Sequence, residues 1–309
     1  MRTISIDRSS WEFRGRAGQL LETEHYRLHT TANNPVLVGR ASRFMELALD
    51  HYRTAITDLP EPTGQMDTYI FADRPEWVRG TVGLLGDRAR PFLEIRRGGF
   101  ATGGTGMLWD IGVQDTLAIA AHEGWHQYTQ TVFRERLPTV LEEAIAVYME
   151  GFRWDGPSRR TPSFQPWANV ERFDNLRRAA ETNSLMSLQT LLSTAPGDLV
   201  SRVDNAVITY YAQGWALIHF LREAEDGRYR DGLERLLQDA ASGRMRERVG
   251  RSIGSWGNRP VLNAPGPAVF AAYFGPELSR IDAEFQRFLD RITAPGAKTQ
   301  IAIGQNPLD

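Results

Sequence analysis

The residues best equipped for chemistry stand together in Ala121-His122-Glu123-Gly124-Trp125-His126-Gln127. The surrounding pattern predicts a helix over 113–133. Leu117, Ala120, Ala121, Trp125 and Tyr128 supply apolar bulk, and Asp115 sits near the positive end of the helix dipole. Side chains four apart on a helix lie one turn apart on one face. The imidazoles of His122 and His126 can therefore reach a single ion. Zinc takes histidine nitrogen at about 2.0–2.1 Å, and catalytic zinc sites use three protein ligands and a water. Glu123 leans over the edge of the same face, where a carboxylate serves as a base toward water rather than as a ligand. The competing reading is an ordinary helix with partly exposed histidines.

Two further segments bear on that choice. Leu137-Pro138-Thr139-Val140-Leu141-Glu142-Glu143-Ala144-Ile145-Ala146-Val147-Tyr148 resembles the second helix of the gluzincin zinc peptidases, with its W-L-x-E-G-x-A-x-Y type pattern. Leu141, Glu143, Ala146 and Tyr148 match; Val140 replaces the aromatic residue and Ala144 the glycine. The resemblance selects Glu143, not Glu142, as the third zinc ligand; otherwise both are solvated helix charges. Tyr211-Ala212-Gln213-Gly214-Trp215-Ala216-Leu217 is similar to the Y-x-x-G-[FW]-A-L segment of aminopeptidase-N-like gluzincins. It implies that the Tyr211 hydroxyl donates to the oxyanion of a tetrahedral intermediate. Tyr210, Trp215 and Phe220 read as core.

The resemblance also carries departures. Some gluzincins place an aspartate one turn after the ligand glutamate, to orient a histidine; that position is Val147. Aminopeptidase-N-like enzymes hold the substrate amine with a glutamate in a Gly-x-Met-Glu-Asn type motif. Here the corresponding stretch is Gly104-Thr105-Gly106-Met107-Leu108-Trp109, without it. In gluzincins the strand before the metal helix borders the cleft and can pair with an extended substrate; residues 107–111 take that place. The preceding run from Gly98 to Gly106 reads as a flexible glycine-rich loop. It lacks the spacing and the lysine of a phosphate loop, which argues against nucleotide binding.

Composition narrows the field. The 309 residues allow one large domain or two small ones, and a net charge of −2 without long basic runs speaks against nucleic acid and anionic membranes. The absence of cysteine excludes disulfides and thiolate-bound zinc, leaving histidine and carboxylate as strong ligands. No stretch approaches the ~20 apolar residues of a membrane span, and residues 1–16 read as no secretory signal. Compartment and oligomeric state stay open.

Stepwise along the chain, 11–14 and 19–31 read as extended, 36–59 as a helix, 66–71 as a strand, 73–79 as a helical turn or two, and 92–96 and 107–111 as strands. His25 and His29 read as surface or supporting residues and His51 as part of a solvated face. Residues 152–167 read as a long loop that could wall a substrate site. Helices follow over 138–149, 168–182, 187–193, 205–224, 229–242 and 276–292. The expected fold class is α+β: an N-terminal lobe, 1–112, with a mixed sheet, helices and a cleft-edge strand, and a mostly helical lobe, 113–309, forming one compact zincin-like unit. The function implied is a zinc-dependent peptidase acting on a peptide or protein substrate, endopeptidase rather than strict aminopeptidase. His122, His126 and Glu143 would hold Zn²⁺, with Glu123 as base and Tyr211 as oxyanion donor. A zinc amidohydrolase of cell-wall peptides, or a non-catalytic zinc- or substrate-binding module on a peptidase fold, are the alternatives.

Overall fold

In a computed structural model of the chain, residues 3–155, 161–199, 205–253 and 266–309 are described. They fall into two compact units: Met1–Arg53, Pro60–Val132 and Trp154–Ser163 in the first, and Thr54–Leu59, Phe133–Arg153 and Phe164–Asp309 in the second.

The first unit is built on a mixed six-stranded sheet. Its strands are β1 (Asp7–Phe13), β2 (Arg16–Glu22), β3 (Tyr26–Thr30), β4 (Met66–Phe71), β5 (Gly99–Thr102) and β6 (Thr105–Trp109), in the order β1-β2-β3-β4-β6-β5. β3, β4 and β6 are parallel neighbours, and the two ends of the sheet are antiparallel hairpins. Parallel neighbours need crossovers, supplied by helices α1 (Pro35–Thr54) and α2 (Arg74–Leu85). The period of two is plain in β3, where Tyr26, Leu28 and Thr30 are buried while Arg27 and His29 are half-buried. α1 buries Leu37, Ala41, Phe44, Met45, Ala48, Leu49 and Tyr52, a stripe at helical spacing. Asp73 caps α2 by accepting from the Glu76 backbone N–H at 2.8 Å. Helix α3 (Val113–Val132) packs on β5 and β6.

Several expectations are corrected here. The glycine-rich stretch is not a loop: Gly103 and Gly104, at φ 57° and 77°, make a two-residue turn that folds β5 back onto β6. The strand leading into α3 is therefore interior, between β4 and β5, and β5 is the edge strand. Residues 92–96 are not a strand. Phe92–Glu94 form a 3-10 turn, and the Arg74 guanidinium donates to the carbonyls of Leu93 and Ile95, at 2.6 and 3.0 Å, where a neighbouring strand would have done so. The first helix stops at Thr54 rather than near residue 59. His25 is not a surface residue: it is 4% exposed, with Nδ1 2.9 Å from a Glu46 oxygen and Nε2 3.3 Å from one of Glu61. His51 is half-buried. The long loop gives way to β7 (Phe152–Asp155) paired with β8 (Thr161–Phe164); its residues 156–160 lie outside the described residues.

The second unit is helical, with α4 (Thr139–Met149), α5 (Val170–Glu181), α6 (Leu188–Ser193), α7 (Pro196–Leu199), α8 (Ala206–Glu223), α9 (Arg230–Ser242), α10 (Met245–Ile253), α11 (Gly266–Phe274), α12 (Leu278–Ile292) and α13 (Ala297–Ala302). α8 is its axis: α4, α5, α9 and α12 pack against it. Every residue of α8 from Thr209 to Leu221 except Tyr211 is buried. α4 and α8 come close at Gly214, where an added Cβ would lie 3.3 Å from Ala144. The chain is thus α+β, with a mixed N-terminal sheet and a helical C-terminal half. Among the described residues no helix is long and apolar enough to cross a membrane.

Inside α8, His219 is fully buried, stacked on Trp167 at 3.6 Å between ring centroids, with Nδ1 3.0 Å from Glu223. The second Glu223 oxygen accepts from Trp167 Nε1 at 2.9 Å. Burial lowers the His219 pKa and outweighs the neighbouring carboxylate. Burial alone would raise Glu223, but its His219 and Trp167 donors hold it below its usual value. At neutral pH the pair is therefore an uncharged imidazole donating to a carboxylate. With the folded pKa of His219 below the unfolded value of about 6.5, the unfolded chain binds its proton first, and stability falls as pH drops below that value. The lowered Glu223 acts in the same direction at more acid pH. The urea midpoint should fall between pH 7 and pH 5, and should fall less in His219→Phe; identical pH slopes in the two proteins would refute this account.

Candidate metal centre

On α3 the two histidines are half-buried and face one point. Their Nε2 atoms are 3.2 Å apart and their rings meet edge-on, with centroids 4.9 Å apart at 77°. Two nitrogens bound at 2.0–2.1 Å to one tetrahedral ion would stand about 3.3–3.4 Å apart, so the spacing suits a shared cation. Glu143, half-buried on α4, completes the group: one nitrogen of each histidine and one of its carboxylate oxygens lie within 4.8 Å of one another. Glu142 is not in that group. Among the described residues this is the one set of three or more histidine, aspartate or glutamate side chains so gathered. Two imidazoles and a carboxylate are a donor set that divalent transition metals accept.

The sequence of α3 fixes its placement within the first unit. Tyr52 of α1 donates its hydroxyl to the Ala121 carbonyl at 2.8 Å. That hydroxyl occupies the space beside Gly124, where an added Cβ would meet it at 2.6 Å. Gln127, 1% exposed, donates from Nε2 to the carbonyls of Asp67 and Gly104, at 2.7 and 2.8 Å, and accepts from Thr68 Oγ1 at 3.0 Å. Gln130 accepts from the Gly104 N–H at 3.2 Å and donates to the Ala101 carbonyl at 3.1 Å. Two glutamines thus bolt the histidine helix to β4 and to the β5–β6 hairpin. Sequence reasoning missed them; two amides on a helix that packs on a sheet are the only sign the sequence carries. Glu123 is half-buried on the same helix, and its charge adds to the burial that pushes the Tyr52 pKa well above its ordinary value.

In the second unit Tyr211 is half-buried. Its ring lies edge-on to Tyr210, with centroids 5.6 Å apart, and the Arg172 guanidinium carbon is 5.5 Å from its centroid. Tyr210, read as core, is 1% exposed, and its hydroxyl has no hydrogen-bond partner among the described residues. Burial and then the nearby Glu143 charge drive its pKa far up. Tyr210 therefore neighbours the carboxylate, a proximity that two adjacent tyrosines on one helix leave unresolved in sequence. Val147, where some gluzincins carry an aspartate, is fully buried.

No protein-family profile matches the chain, and no curated protein matches it.

Gly124→Ala should cost about 1–3 kcal/mol in urea unfolding by overpacking against the Tyr52 hydroxyl. In a Tyr52→Phe background the same substitution should cost clearly less; equal costs in both backgrounds would show that the clash is not with that oxygen.

Proposed function

We propose that this chain is a zinc-dependent peptidase, with His122, His126 and Glu143 as ligands and peptides or proteins as substrates. The observation that carries the reading is the gathering of those three side chains, with ligand atoms within 4.8 Å of one another. The donor set suits several divalent ions; zinc is chosen because the residues around the site resemble gluzincins, and a zincin-like fold is part of the same proposal. A zinc ion held there would acidify water and polarise the substrate carbonyl. Glu123 takes the proton of the attacking water and later passes it to the leaving amine. The Tyr211 hydroxyl donates to the oxygen on which negative charge develops.

The sheet edge supports a peptide substrate. β5 is the terminal strand and packs on the histidine helix, so an extended chain could add to it by backbone hydrogen bonds. β5 takes the part that the resemblance gave to residues 107–111. The stretch from Gly104 to Trp109 has no glutamate to hold a substrate amine, which favours an endopeptidase over a strict aminopeptidase.

Metal analysis of the purified chain, joined to cleavage of a peptide library, tests the proposal. About one zinc per chain is expected, lost in His122→Ala and in Glu143→Ala. Glu123→Ala should keep zinc and fold but lose hydrolysis. Tyr211→Phe should lower kcat by about 10²–10³-fold at unchanged metal content. Tyr210→Phe should be no less stable than the parent, because among the described residues its hydroxyl has no hydrogen bond to lose. Zinc at one equivalent with no peptide cleaved would reject the peptidase reading.

A further inference from the structure

Arg172 opens helix α5, whose cap Asn169 accepts from the Arg172 backbone N–H at 3.2 Å. Its guanidinium is paired side-on with Glu150: Nε donates to one carboxylate oxygen at 3.1 Å and Nη2 to the other at 2.9 Å. Asn169 Nδ2 donates to the same carboxylate at 3.1 Å. This fixes the plane of the guanidinium. Side-on pairing uses one edge of the group and leaves its end-on fork, made of Nη1 and the second N–H of Nη2. Among the described residues that fork has no hydrogen bond. An arginine fork matches the two oxygens of a carboxylate. The Arg172 side chain is mostly buried, with 19% of its surface exposed, and the Glu150 pair holds the guanidinium in place.

Its position is informative. Arg172 lies over the Tyr211 ring. Its partner Glu150 follows Glu143 by seven residues at the end of α4. Seven residues are two helical turns, so Glu150 and Glu143 share a face about 10 Å apart along the axis. An extended peptide advances about 3.3 Å per residue. With Glu150 marking the place of the fork, the fork is thus about three residues from a bond reacting beside Glu143.

We infer that Arg172 is a specificity residue that receives a substrate carboxylate about three residues from the scissile bond. The carboxylate is either the free C-terminus of the peptide or an aspartate or glutamate side chain. Because Arg172 and Glu150 neutralise one another, recognition comes from the directed fork and not from net charge. The inference rests on the peptidase reading for the bond that is cut, but not for the recognition itself.

The test uses the zinc-loaded full chain and fluorogenic peptides centred on the cut mapped by the library. One matched pair differs in a free or amidated C-terminus; another differs in Glu or Gln three residues from the cut, both amidated. The carboxylate-bearing member of one pair should be preferred about 10–100-fold in kcat/KM, expressed in KM, and which pair shows it identifies the source. In Arg172→Met the two members should converge. Arg172→Met combined with Glu150→Met, which strands no charge, should give the same convergence. No preference in the parent, or a preference that survives both variants, overturns the inference. If zinc is bound but no peptide is cleaved, the peptidase reading fails, and fluorescence anisotropy with the same labelled peptides decides the role of Arg172. Tighter binding of the carboxylate member, lost in Arg172→Met, upholds it; equal binding or none overturns it.

Discussion

Two imidazoles whose Nε2 atoms stand 3.2 Å apart either share a proton or turn two lone pairs toward one positive charge. That constraint organises the first unit. The pair works only if α3 cannot roll, since rotation of the helix would aim the rings elsewhere. The burial of Leu117, Ala121, Trp125 and Tyr128 gives the helix its depth, but apolar packing alone tolerates small rotations. The directional contacts prevent them: the Tyr52 hydroxyl on the Ala121 carbonyl, and the Gln127 and Gln130 amides on backbone groups of the sheet. A buried amide such as Gln127, satisfied on both ends, specifies one arrangement because any other leaves it unpaired.

In the second unit the corresponding constraint is the approach of α8 to α4. Gly214 faces Ala144 so closely that a Cβ on α8 would lie 3.3 Å from it, tighter than an ordinary contact. Here α4 carries the methyl and α8 goes without, so one of the two facing positions remains bare and the helices stay close. The crossing lies one residue from Glu143 and three from Tyr211, so it sets the height of both along their helices.

Much of this was legible where the signal is local. The His-Glu-x-x-His helix, the strand over 66–71 and helix α12 each carry a period that their burial repeats, whereas α4 and α8 are apolar and buried nearly all round. The α+β class followed from the same periods. The residues of the candidate metal centre were legible as types at fixed spacing, and Glu143 was chosen over Glu142 by resemblance rather than by physics. What escaped depends on partners far along the chain. The β5–β6 hairpin is rich in glycine, which leaves no side-chain alternation to read. His25 is buried because Glu46 and Glu61 arrive from residues well downstream. α10 follows α9 after a left-handed Gly243, which reads as an end and not as a corner between two helices.

The brevity of β5 has a consequence for anything that lies along it. Only Gly99–Thr102 form the strand, and alternate residues of a strand direct their amides and carbonyls to the same side. The carbonyl of Ala101 is already engaged by Gln130. Few main-chain groups are left to grip a guest chain, so a guest held there would be clasped briefly and sequence-blindly. Discrimination among guests must then come from side chains placed elsewhere, and rapid departure follows from the short clasp.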